Sequence, residues 1–195
     1  MKLFALALTV LLPCLAASSD ADPGKALGSP SAPIQIEVFS DFECPACKGL
    51  HEQILPQVMR DYVIPGKVFL VSREFPLQMH PYSREAACYA TAAARFGKYE
   101  QVADTLFKNQ VAWGASGKVW DTVAKVLTPA EASKVQLLAK DPAVLSEVQR
   151  DVDAGKAAAI NQTPTMIVTH GANRFPVAGA VNYNLLRSLL DGLLK

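Results

Sequence analysis

Two cysteines two residues apart, Cys44-Pro45-Ala46-Cys47, stand where a strand-like run gives way to a helical one, and this junction constrains the chain more than any other feature. Upstream, Ile34-Gln35-Ile36-Glu37-Val38-Phe39 alternates and is rich in β-branched residues. Downstream, Leu50, Ile54, Leu55 and Met59 recur at helical spacing. The pair therefore sits at a strand-to-helix turn, with Cys44 as helix N-cap and Pro45 at the first helical position, where its missing N–H costs nothing. The free N–H groups of Ala46 and Cys47, together with the helix dipole, favour a thiolate at Cys44. Two thiols so placed can cycle between dithiol and disulfide.

Other uses of the pair stay open at this level. Cys44, Cys47 and His51 form a C-x2-C-x3-H set that offers three ligands to a soft metal such as Cu(I), or part of a zinc site. A structural zinc site needs further ligands, and no second CxxC or His pair occurs. An inert structural disulfide is the third reading.

The compartment is read from the N-terminus. Lys2, the apolar run Leu3 to Leu12 and the small residues Ala16-Ala17-Ser18-Ser19 compose a secretory signal peptide over residues 1–19. The apolar run is too short to span a bilayer. Pro13 occupies a position that a lipidation signal gives to a small residue, so Cys14 is expected to leave with the signal. Export places the chain in a periplasmic or extracytoplasmic space where disulfides persist. The chain has 19 Lys and Arg against 18 Asp and Glu, and loss of Lys2 balances them. Without a block of basic residues there is no electrostatic footprint for nucleic acid, and without a basic amphipathic helix none for a membrane surface.

Residues 20–32 have linker composition and predict an extended arm. A β-α-β unit follows, with a second strand at Val68 to Arg73 after the Pro65-Gly66 turn. Its run Val68-Phe69-Leu70-Val71 reads as a strand buried on both faces. Residues 80–156 then read as helices. His80 to Phe96 is Ala-rich and stops at Gly97; Tyr99, Val102, Ala103, Leu106 and Phe107 share a face; a short helix lies between Trp113 and Leu127. Thr128-Pro129-Ala130-Glu131 is a capping box, and Asp141-Pro142 opens a helix whose apolar face is Leu145, Val148 and Val152. Strand character returns at Thr165 to Val168, followed by a hairpin to Val177 and a last helix whose leucine pairs at 185/186, 189/190 and 193/194 mark its buried face. The fold class is α/β, with a sheet domain over 33–79 and 157–195 and an all-helical subdomain inserted between.

A CxxC at the start of the first helix and a Thr-Pro just before a late strand resemble the thioredoxin superfamily. Gly28-Ser29-Pro30-Ser31-Ala32-Pro33, Ser40-Asp41-Phe42-Glu43-Cys44-Pro45-Ala46-Cys47 and Gln162-Thr163-Pro164-Thr165 narrow this to DsbA-like thiol:disulfide oxidoreductases. The resemblance implies a thioredoxin fold with an inserted helical subdomain, Cys44 as surface nucleophile, Cys47 as buried resolving thiol, and no cofactor. It implies a cis Pro164, with the Thr163 main chain turned to the disulfide and free to pair with an extended substrate. It also places a buried carboxylate, Glu37, beneath the cysteines as relay for the Cys47 proton, although strand alternation equally allows Glu37 to face outward. The implied activity is oxidation of thiols in folding secreted polypeptides, with reoxidation by a membrane oxidase of DsbB or VKOR type; a reductase or isomerase of the same fold is the near alternative. Ala46 departs from the histidine of the founding enzyme and supplies neither hydrogen bond nor charge to the thiolate, which predicts a modestly depressed thiol and a weaker oxidant. Cys88, in the Ala-rich helix, reads as inert packing.

Overall fold

The computed structural model describes residues 22–195, so the expected signal peptide and Cys14 lie outside the described residues. A five-stranded sheet carries the order β1-β3-β2-β4-β5. Its centre is β2 (Ile34–Ser40) parallel to β3 (Val68–Glu74), with Ile34 paired to Val68 and Ser40 to Glu74. The hairpin β4 (Thr165–His170) and β5 (Asn173–Ala178) adds antiparallel to β2, and β1 (Ala26–Leu27) adds antiparallel to β3.

The expected arm is therefore partly structured. Asp22 caps a short 3-10 turn, Pro23–Lys25, which leads directly into β1. A two-residue strand leaves no periodicity to read.

Alternation along β2 divides the core. Ile34, Ile36 and Val38 point to one face, where they meet Leu50 and Val58 of the helix after the cysteines and Leu186 and Leu190 of the last helix. Phe39 and Ile167 point to the other face and meet Phe75 and Val152. The helix after the cysteines runs over 45–63 and is not uniform. It comprises α1 (Pro45–Gly49), a π-helical stretch Leu50–Ile54, α2 (Leu55–Val58) and a second π-helical stretch Met59–Val63. Pro56 cannot donate a backbone hydrogen bond and its ring crowds the preceding turn, and the widened turn before it relieves that conflict.

The inserted helices are α3 (Ser83–Ala94), α4 (Tyr99–Lys108), α5 (Gln110–Ser116), α6 (Val119–Val123), α7 (Pro129–Leu138) and α8 (Pro142–Ala157), and α9 (Tyr183–Leu193) closes the chain. The alanines of α3 let its neighbours approach closely, and Ala86, Ala90, Ala92 and Ala93 have no exposed surface. Thr128 forms the expected capping box on α7. Two apolar faces differ from expectation. Val144 is buried where Leu145 is 40% exposed, and in α9 Leu186 and Leu190 are buried while Leu185 is 70% exposed. In each case the helix meets its neighbours along a narrower stripe than its apolar residues cover.

Candidate active site

The CxxC lies at the C-terminal end of β2, where the chain leaves the sheet and enters α1. Cys44 holds an extended conformation (φ −76°, ψ 120°) as N-cap, with Pro45 starting the helix. Both cysteines are free thiols here. Cys44 is 7% exposed and Cys47 1%, so Cys44 is more enclosed than a surface nucleophile. Phe42 and the helical subdomain pack around it.

Four groups converge on the Cys44 sulfur. The Cys47 thiol donates to it, and the Thr163 hydroxyl, buried with no other hydrogen-bond partner, faces it; the N–H groups of Cys47 and Ala46 add to them. The net effect holds the Cys44 thiol down at about 5, from an ordinary 9.0, against the opposing cost of burial. This is more than the modest depression predicted from the dipole and the Pro-Ala dipeptide, because the strongest donor is the partner thiol itself. Burial, followed by that same hydrogen bond, pushes Cys47 strongly upward. One sulfur is thus a thiolate at neutral pH and the other keeps its proton, the division that disulfide exchange needs.

Thr163 arrives from the far end of the chain. The Thr163–Pro164 bond is cis, and the Thr163 carbonyl lies 3.4 Å from Cys44 Sγ, where it accepts a hydrogen bond from the thiol form. The structure brings Cys44, Pro45, Ala46, Cys47, Thr163 and Pro164 into one locus.

Glu37 is not among them. Its carboxylate accepts from Arg73 Nε at 3.0 Å and Nη2 at 2.8 Å and from Arg174 at 3.4 Å. It shares the sheet face of Phe39, on the α8 side, whereas Val38 and Ser40 share the face that lines the cavity with Cys47. No hydrogen bond among the described residues joins Glu37 to either cysteine. The expected relay position is corrected accordingly, since alternation turns that side chain to the opposite side of the sheet. His51 is likewise engaged elsewhere, with Nε2 2.7 Å from Asp104 and its ring tilted against Phe107. Among the described residues no three His, Cys, Asp or Glu side chains converge to hold a metal ion.

Two organising residues escaped the sequence. Asp41, 1% exposed, accepts from the N–H groups of Glu43 and Leu77, both at 2.7 Å, and from the Ser83 hydroxyl at 2.6 Å, and its Oδ2 lies 2.8 Å from His80 Nδ1. Its own N–H donates to Cys47 Sγ at 3.4 Å. Gln110, at the start of α5, donates to the carbonyls of Phe42 at 2.7 Å and Cys44 at 3.0 Å. Asp41 stands inside the motif that carries the family resemblance but has no role of its own there; Gln110 acts across 66 residues of sequence and carries no local signal.

This strand, cysteine-led helix and cis-proline loop match a family model described as Thioredoxin over residues 20–191. The chain belongs to the thioredoxin family. Among curated relatives, a Na(+)/H(+) antiporter NhaA 3 of Salinispora tropica is 32% identical over 158 residues, 76% of this chain and 22% of that protein. The chain thus spans about a quarter of the length of the antiporters it matches. A probable disulfide bond formation protein D of Bacillus anthracis is 29% identical over 87 residues, 45% of this chain and 38% of that protein. Among solved structures, Wolbachia pipientis alpha-DsbA1 superposes with a TM-score of 0.74 at 16% identity, covering 92% of this chain and 93% of that one. The thioredoxin-family fold therefore includes the helical insertion as DsbA-type structures carry it.

Proposed function

We propose that this chain is an exported thiol:disulfide oxidoreductase that oxidises thiols of folding secreted polypeptides through a Cys44–Cys47 disulfide. The observation that carries the reading is the split between the two thiols, one held at about 5 and its partner pushed strongly up. A disulfide whose reduced form is stabilised at one sulfur gives up oxidising equivalents readily.

In the oxidising direction a substrate thiolate attacks the Cys44 sulfur and the Cys47 sulfur leaves and takes up a proton. A second substrate thiolate then attacks the substrate sulfur of the mixed disulfide and displaces Cys44 as a stable thiolate. The substrate gains one disulfide and the enzyme two electrons. Thr163, beside Cys44, offers its main chain to an extended peptide in the manner of an added strand. Reoxidation falls to a membrane oxidase of DsbB or VKOR type. The kinship with a probable disulfide bond formation protein supports the oxidising direction.

Equilibration with glutathione tests the direction. The expected potential lies on the oxidising side of about −200 mV, and a value near −270 mV would assign the chain to reduction instead. Incubation of disulfide-bonded secreted proteins with the Cys47→Ser variant, whose Cys44 thiolate attacks a substrate disulfide and releases one substrate sulfur as thiolate, is expected to accumulate mixed disulfides at Cys44. Trapping by Cys44→Ser with none by Cys47→Ser would reverse the two roles.

A further inference from the structure

With Glu37 on the far side of the sheet, the Cys47 proton needs another destination. A cavity of about 140 Å³ lies behind Cys47, between the sheet, the helix over 45–63 and α4, and Ser40, His51, Ser72, Tyr99, Glu100 and Asp104 contribute polar groups to its lining. Ser40 lines this cavity together with Cys47, close enough for its hydroxyl to favour the thiolate there. In the parallel register Val38 pairs with Ser72 and Ser40 with Glu74, so Ser40, Ser72 and Glu74 share one face of adjacent strands. Ser72 and Tyr99 line the cavity together, and the Tyr99 hydroxyl donates to Glu74 Oε1 at 2.8 Å. The interval between Ser40 and Ser72 opens on the cavity, which is roomy enough for water, since one molecule needs only about 10–15 Å³.

We propose that the proton lost by Cys47 on disulfide formation passes through Ser40, Ser72 and Tyr99 to the carboxylate of Glu74. Cys47 then attacks the Cys44 sulfur of a mixed disulfide, the S–S bond to the substrate breaks, the substrate departs as thiolate, and Glu74 becomes a neutral acid. In the reverse step Glu74 returns the proton to the leaving Cys47 sulfur.

The surroundings of Glu74 suit that exchange. The carboxyl is 2% exposed. Lys25 of the N-terminal turn and Tyr99 of α4 favour its ionised form, while burial, Asp151 and Glu147 of α8 oppose it, and the balance lies near 7. A group poised at the working pH accepts and returns a proton with little penalty either way. Tyr99 is pushed well above its ordinary value, so its hydroxyl stays protonated and can serve only as a conduit.

The inference rests on the redox reading of the cysteine pair, and one experiment separates the two. Cys44 is loaded with a chromogenic aromatic thiol as a mixed disulfide, and its release is followed from about pH 5 to 9. Release from the wild type but not from Cys47→Ser supports the redox reading; equal release from both would sink that reading itself. Given Cys47-dependent release, the wild-type rate should rise with an inflection near pH 7. Glu74→Gln should lose the inflection and slow release at pH 8 by about tenfold or more. Tyr99→Phe, which removes only the hydroxyl, should do the same and decides the matter if Glu74→Gln fails to fold. A merely structural role for Glu74 would leave the inflection in place. Retention of the inflection in Tyr99→Phe, or its transfer to Glu100→Gln, would overturn the route.

Discussion

At the scale of single residues, the chemistry turns on a division of proton affinity between two sulfurs that share one hydrogen bond. Cys44 is depressed from 9.0 to about 5, chiefly by the Cys47 thiol. Thiolate absorbance of the reduced protein is expected to titrate with a midpoint near pH 5 and to vanish in Cys44→Ser; a midpoint near 8 would refute the hydrogen-bonding account. The stability consequence follows from the sign of the shift. A depressed acid contributes stability that is fully present above the unfolded value and lost as pH falls through the folded one. The reduced protein should therefore gain on Cys44→Ser in denaturant unfolding as pH rises from about 5 to 9, and a constant difference across that window would contradict the shift. The CxxC and the Thr-Pro were legible in the sequence because both are local patterns. The face of Glu37 stayed open because alternation specifies that neighbouring residues take opposite faces but not which face a distant helix covers.

At the scale of elements, close approach is set by small residues as much as by apolar ones. A Cβ on Gly155 of α8 would lie 2.5 Å from a ring carbon of Phe75 and 3.1 Å from one of Phe39. Both rings are buried and meet edge to face, so neither can swing away. Gly155→Ala gains up to about 1 kcal/mol of helix propensity but incurs overpacking of about 1–3 kcal/mol. A lowered denaturant midpoint is expected, with the Cys44 titration unmoved; an unchanged or raised midpoint would mean that α8 can retreat from the sheet. Val148 and Val152 are buried as expected, and Val144 is buried in place of Leu145.

At the scale of the whole molecule, a buried charge cluster ties the N-terminal turn to both halves of the fold. Lys25, 2% exposed, lies 2.5 Å from Asp151 and 3.5 Å from Glu147 of α8, and Arg73 of β3 bridges Asp151 and Glu37. Buried pairs of this kind contribute little over an apolar replacement, but removing one partner leaves charge uncompensated at about 3–5 kcal/mol. Lys25→Met should lower the melting temperature by about 10 °C at pH 8, given about 2–4 °C per kcal/mol at this size. Without the cation the neighbouring carboxylates bind protons more tightly in the folded state, so the deficit should shrink towards pH 5. A deficit independent of pH would show that packing, not charge, is what Lys25 supplies.

Local order came from sequence alone: the strand alternation of β2, the proline-led helix starts, the capping box at Thr128 and the cysteine spacing each express a constraint satisfied within a few residues. Those constraints sufficed for the β-α-β, helical insertion and β-β-α order and for the place of the cysteine pair at the strand-to-helix turn. What tertiary structure alone decided are contacts between residues far apart in the chain, where the backbone and side-chain patterning of neither partner carries a record of the other. Gln110 on the Cys44 carbonyl, Lys25 among the carboxylates of α8 and Tyr99 on Glu74 all exist because packing removed water from polar groups, which then had to find one another.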